Sequence, residues 1–245
     1  MTMLLKAQPV VDQKIDDLTK RCQALKTQGR TPFMTVVLVG DNPASLTYIR
    51  NKEKMCQKIG AEFKLLQLPS SITEAQFIHE IEILNKNPKV TGIIIQLPVS
   101  ESLKNLPITQ LVDPEKDIDG FHSNNTRWLY EGSAELGHLL PCTPKGILSL
   151  LDFYDLPLKG KHAVVVGRSL IVGKPVSMLL SNRHATVTLA HSKTENLEEL
   201  TKSADIIISA VGKPQLITKK HINPAKRTVV VDVGMNTLNG KLVGD

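Results

Sequence analysis

The sequence predicts an α/β protein of two α/β domains around a cleft, the C-terminal one built on a parallel sheet. Three observations predict it. Short apolar, β-branched runs alternate with stretches of helical periodicity along the chain, the pattern of strands joined by crossover helices. The strand-like runs, MTVVLV at 34–39 among them, are apolar without alternation, as strands covered on both faces are. A loop-rich stretch at 98–144 separates two such series. The linker is expected between 141 and 160, giving domains 1–142 and 143–245.

In the first series, residues 10–27 carry apolar side chains at helical spacing. A strand at 34–39 follows and ends in Gly40-Asp41-Asn42-Pro43, after which 44–59 is helical. A second strand is expected at 63–68. The helix after it, 73–85, opens with Thr73 and Gln76 in capping-box spacing. Residues 90–97, VTGIIIQL, form the third buried strand. In the second series a helix at 143–154 has Thr143 as its cap and Pro144 as its first residue. Strands follow at 163–166, 185–190, 205–209 and 228–233.

Composition narrows the function. The chain has 245 residues, 41% hydrophobic and 22% charged, which is ordinary for a globular protein with ample core. No apolar run reaches the length of a membrane span, and the first residues, MTMLLKAQPVV, lack a signal-peptide pattern. The net charge of +6 is spread rather than blocked and aromatic content is only 4%, so neither nucleic acid nor membrane is an expected partner. Cys22, Cys56 and Cys142 have no metal-type spacing and leave an odd thiol, which points to a reducing cytoplasm and to no metal site. Cys142 has no histidine in register and is expected to be structural.

The richest stretch is KHAVVVGRSLIVGKP, residues 161–175. A strand turns through Gly167 into a helix beginning near Gly173 and Pro175. The first N–H groups of a helix lack partners within it and its dipole is positive there, so such a turn suits the pyrophosphate of a dinucleotide. The glycines stand one residue further apart than the outer pair of GxGxxG, and Ser169 takes the place of the middle one. The next strand ends in His191-Ser192-Lys193-Thr194, without the carboxylate that holds the ribose hydroxyls of NAD. Ser192, Lys193 and Arg168 can donate to a phosphate instead, which favours NADP. The half of the chain that carries this turn is therefore Rossmann-like.

Other residues have the chemistry of a site. Tyr48 and Lys52, four apart, share a helix face; such a pair can polarise a substrate and move a proton, or can be a solvated pair. Ser45 is a cap or a ligand donor. Gln96 ends the third strand, where ligands of parallel sheets bind, and can either orient a lysine or hold a substrate amide. Asp117 and Asp119, in KDIDGFH, form an Asx-type turn or grip an amino-pyrimidine edge. Gly234, after VDV at the end of the last strand, permits close backbone approach to a ligand.

Taken in order, VGDNPAS with Tyr48 and Lys52, GIIIQLP, KDIDGFH, PCTPKG, GRSLIVGKP, HSKT, SAVGKP and VDVGMN resemble the bifunctional methylenetetrahydrofolate dehydrogenase/cyclohydrolase family. The resemblance implies NADP as cofactor, tetrahydrofolate derivatives as substrates and a cytoplasmic homodimer. The implied chemistry is hydride removal from methylenetetrahydrofolate, then water attack on the methenyl product to give 10-formyl-tetrahydrofolate. It implies Lys52 as the central catalytic residue, Tyr48 beside the pterin, Gln96 bonded to Lys52, and Asp119 on the pterin edge. Gly167, Arg168, Ser169, Ile171, Gly173 and Ser192 are the implied cofactor residues. Ser100 stands where the family has a second proline. The sequence ends at Asp245, whereas the family continues with a Pro-Gly-Gly loop and a helix. The alternative expectation is therefore a member that binds folate and nucleotide with weak or single activity.

Overall fold

The computed structural model describes residues 3–132, 137–234, 236–238 and 241–245. The chain divides into two compact units, residues 1–125 and 126–245.

In the first unit α1 (Gln8–Thr27) precedes β1 (Phe33–Val39), α2 (Pro43–Ile59), β2 (Glu62–Leu68), α3 (Glu74–Lys86) and β3 (Gly92–Ile95). The three strands form a parallel sheet in the order β2-β1-β3, so the chain reverses its direction of winding at β1. Side chains of β1 alternate between two cores. Val37 and Val39 pack with Phe77, Ile81 and Ile93; Val36 and Leu38 pack with Ile49 and Ile94. This two-sided burial explains the unbroken apolar run. Thr73 and Gln76 form the expected capping box at α3. Lys116 closes the other end of α3, its ammonium donating to the carbonyls of Leu84, Asn85 and Asn87. The segment around Asp117 thereby lies along the free edge of β3, bridging Ile93 in parallel.

The division into units falls within α4 (Ser123–Tyr130), a helix that its polar sequence, SNNTRWLY, did not announce. The second unit continues with α5 (Cys142–Phe153), β4 (His162–Val166), α6 (Gly173–Asn182), β5 (Thr186–Ala190), α7 (Leu197–Ser203), β6 (Ile206–Ser209) and β7 (Val229–Asp232). Its four strands are parallel, in the order β5-β4-β6-β7. A small antiparallel pair, β8 (Asn236–Leu238) and β9 (Lys241–Val243), follows. Leu129 and Leu140 are buried in the same cluster as Ile147, Leu151, Val165 and Leu179. Apolar packing therefore starts this unit before the expected boundary at 142/143. The cap of α5 also differs from expectation: the helix starts at Cys142 after Pro141, so Thr143 lies inside its first turn. Among the described residues no helix is long and apolar enough to cross a membrane.

Candidate active site

In an open parallel sheet, ligands bind outside the carboxyl ends of the strands where the winding reverses. In the first unit that place is the end of β1 and β3, and three parts of the chain deliver side chains to it. Asn42 caps α2 by accepting the N–H of Ser45, and Ser45 itself is buried, so of its two expected roles the cap belongs to Asn42. The helix so started carries Tyr48, half of whose surface is exposed, and Lys52, one turn further on.

Gln96 follows β3. Its backbone N–H donates to the Val37 carbonyl, and its side chain is held at both ends. The amide nitrogen donates to the Leu97 carbonyl at 3.0 Å, which turns Oε1 towards the Lys52 ammonium, also at 3.0 Å. Gln96 thus orients the lysine, the first of the two roles open to it.

The two aspartates of KDIDGFH separate by environment. Asp117 is buried and accepts the N–H groups of Gly120 and His122 and the Asn125 amide; it builds the turn. Asp119 is left facing the site. Burial raises its pKa above the ordinary carboxylate value; Lys52 nearby pulls it down and Asp117 pushes it up. Asp119 also lines a cavity of about 20 Å³ with Ile95, Leu97, Thr109 and Phe121. Ser100 begins a short 3₁₀ turn, Glu101–Leu103, and its hydroxyl bonds that of Ser102 at 2.8 Å.

In the second unit the corresponding edge lies where β4 stands between β5 and β6. The glycines of the turn are required by the chain itself. A Cβ on Gly167, whose φ is +116°, would strike the Ala210 carbonyl; one on Gly173 would strike the carbonyl of Gly167. They let the turn close, and α6 pack, against the strand ends. The helix start is not left bare. Ser169 Oγ accepts from the N–H groups of Val172 and Gly173, its carbonyl accepts from Lys174, and Pro175 has no N–H. The unpaired helix donors expected from the sequence are therefore absorbed by Ser169. What remains open is the turn before them. The N–H groups of Arg168, Ser169, Leu170 and Ile171 make no hydrogen bond among the described residues, and all four side chains are exposed. On the adjacent strand, β5, the tip is pinned by His191 and Thr194, leaving Ser192 and Lys193 exposed. These free N–H donors, with a guanidinium, a hydroxyl and an ammonium, match a phosphorylated nucleotide.

Known proteins share this architecture. Residues 5–119 match the model of the tetrahydrofolate dehydrogenase/cyclohydrolase catalytic domain, and residues 141–245 that of the family's NAD(P)-binding domain. The chain is 44% identical over its whole length to the bifunctional protein FolD of Enterococcus faecalis, covering 86% of that protein. The chain belongs to the tetrahydrofolate dehydrogenase/cyclohydrolase family. The crystal structure of the bifunctional FolD enzyme of Campylobacter jejuni has a TM-score of 0.95 at 38% identity, with 99% of this chain and 85% of that one covered. The enzyme of Trypanosoma brucei, solved with NADP cofactor and an inhibitor, has a TM-score of 0.91 at 30% identity, covering 100% of this chain and 85% of that one.

Within the family framework, the structure brings Lys52, Gln96 and Asp119 together and leaves Tyr48 exposed one turn before the lysine. Gly167, Arg168, Ser169, Ile171 and Gly173 lie in one turn, with Ser192 at the tip of the neighbouring strand. Cys142, expected to be structural, is exposed in the first turn of α5. Among the described residues no group of side chains could hold a metal ion. Of the two readings open to the aspartates, Asp117 takes the turn, and what the sequence did not signal is Asn125 as its side-chain partner. Sequence reasoning also missed Asp245, a buried carboxylate at the end of β6 with no motif of its own. Met235, in VDVGMN, lies outside the described residues.

Proposed function

We propose that this chain oxidises methylenetetrahydrofolate with NADP and hydrolyses the methenyl product to 10-formyl-tetrahydrofolate. The observation that carries the reading is the Lys52–Gln96 hydrogen bond beside Asp119 at the carboxyl edge of the first sheet. The nucleotide, when bound, accepts the hydride. The chain's own groups do the rest. Gln96 fixes the Lys52 ammonium, so its Nζ can hold or pass a proton as water adds to the methenyl carbon and the ring C–N bond opens. The Asp119 carboxylate accepts N–H donors of the pterin edge, where a charge-assisted pair gives orientation as well as affinity. The exposed ring of Tyr48 packs on the pterin face and positions it. Gly167, Arg168, Ser169, Ile171, Gly173 and Ser192 receive the nucleotide, with Arg168 and Ser192 on the 2′-phosphate. The first unit serves the folate and the second the nucleotide. The enzyme works as a homodimer in the cytoplasm, where its thiols stay reduced.

The test follows the absorbance of the methenyl product when methylenetetrahydrofolate and NADP are supplied. Transient appearance followed by decay supports both activities. Accumulation without decay leaves only the dehydrogenase, and no signal removes the reading.

A further inference from the structure

Asp245 is buried, and both of its carboxylate oxygens are spoken for. Oδ2 accepts the Val211 N–H at 2.7 Å and the Ser209 hydroxyl at 3.3 Å; Oδ1 accepts the Lys213 N–H at 3.0 Å and the Asn236 amide at 2.9 Å. Its own N–H donates to Asp232 at 3.1 Å. A carboxylate has about four acceptor sites, so this one has no capacity left for a ligand. Among the described residues no cation pairs with it. Burial raises its pKa, and the hydrogen bonds from Val211, Asn236, Gly212 and Ser209 together outweigh that and leave it lowered. Burying a carboxylate without a countercharge is costly, and here neutral donors aimed from the end of β6, the loop after it and β8 compensate.

All of those donors but Asn236 belong to residues 209–213, at and after the end of β6. That loop is pressed against the nucleotide turn: the Ala210 carbonyl is the atom that forbids a Cβ on Gly167, and the Val211 side chain lies next to it. Val211 is nonetheless 44% exposed, an apolar surface at the carboxyl edge of the sheet. A dinucleotide in such a sheet straddles the reversal of winding, its adenosine half over the second strand and its other half beyond the first. Here these are β5, with Ser192 and Lys193, and the β6 side, with Val211.

We infer that Asp245 is a positioning residue: it holds the loop after β6 as the wall against which the nicotinamide half of the nucleotide lies. The inference rests on the nucleotide reading given above. It separates two halves of one ligand, and that makes it testable in the full chain. The variants are Asp245→Ala, which removes every acceptor contact, and Asp245→Asn, which keeps the shape and replaces one acceptor oxygen with a donor nitrogen. Each is titrated with NADP and with adenosine 2′,5′-bisphosphate, which is the adenosine half alone. The expected result is NADP affinity weakened by about tenfold, as loss of a hydrogen bond to a charged group implies, with the bisphosphate unaffected. The dehydrogenase rate should also fall by more than the cyclohydrolase rate on supplied methenyltetrahydrofolate. Equal weakening of both ligands, or equal loss of both rates, would make Asp245 a general stabiliser of the unit and overturn the inference, as would unchanged NADP affinity. Should Asp245→Ala fail to fold, Asp245→Asn carries the same comparison. Failure of the unaltered chain to bind either ligand would instead overturn the nucleotide reading itself.

Discussion

The ends of the two parallel sheets solve different problems with different parts of the chain. In the first unit, side chains from separate elements converge: Lys52 from α2, Gln96 after β3 and Asp119 from the segment beside β3, with a 3.0 Å bond joining the first two. In the second unit the surface proposed for the nucleotide is one exposed turn, residues 168–171, whose backbone N–H groups are left open, flanked by Ser192 and Lys193. Proton movement needs a few atoms fixed to a fraction of an ångström, and half-buried side chains held by a second partner, as Gln96 is, provide that. Binding a phosphorylated ligand needs several donors spread over its length, and a turn provides those without burial. The first kind of site is lost with one residue; the second should lose affinity in steps.

The sharpest break of this contrast is Lys52→Ala. Cyclohydrolase turnover should fall by ~10²–10⁴-fold, the usual worth of a positioned proton carrier. Nucleotide affinity, measured by titration, should stay within a factor of about two. A variant keeping more than a few per cent of the activity would mean that Gln96 orients a bystander.

A smaller effect is expected from Arg168→Ala in the second unit. One charge-assisted donor is worth ~1.5–3 kcal/mol, so affinity for NADP should drop by roughly ten- to a hundredfold, with NAD scarcely altered. Ser192→Asp should shift the preference the same way by restoring a carboxylate to the strand tip. If the NADP-to-NAD ratio does not move in either variant, the 2′-phosphate lies elsewhere.

The smallest effect concerns stability, and its sign is informative. The pKa of Asp119 in the folded chain is raised, chiefly by burial. Such a group stabilises the fold fully below its unfolded value, about 3.9, and that contribution is lost as pH rises through the folded value. At neutral pH the ionised carboxylate therefore costs stability. Asp119→Asn should raise the melting temperature by a few degrees, about what ~1 kcal/mol gives in a domain this size, while raising the folate KM. The gain should vanish in acid below about pH 4, where both side chains are neutral. A melting temperature lowered at neutral pH would assign Asp119 to the turn with Asp117.

The alternation of strands and helices was legible because burial on both faces of β1 and β3 leaves an unbroken apolar signature. Elements whose stability comes from neighbours were not. SNNTRWLY becomes α4 through its packing, with Leu129 buried among residues of α5 and α6, and LEELTKS is too short for its periodicity to declare α7.

By itself the sequence determined the α/β class, the strand–turn–helix at 161–175, the Tyr48–Lys52 helix face and the order of motifs that places the chain in its family. All of these depend on residues close together in the chain, where spacing alone fixes geometry. Only the tertiary structure decided how distant residues share the work. It turned Gln96 towards a lysine 44 positions away and separated the turn-building Asp117 from the site-facing Asp119. It satisfied the start of α6 with Ser169, and it buried Asp245 under the loop after β6. Burial and hydrogen-bond partners are properties of packed neighbours, and no local pattern encodes which carboxylate will be enclosed or which amide will face a charge.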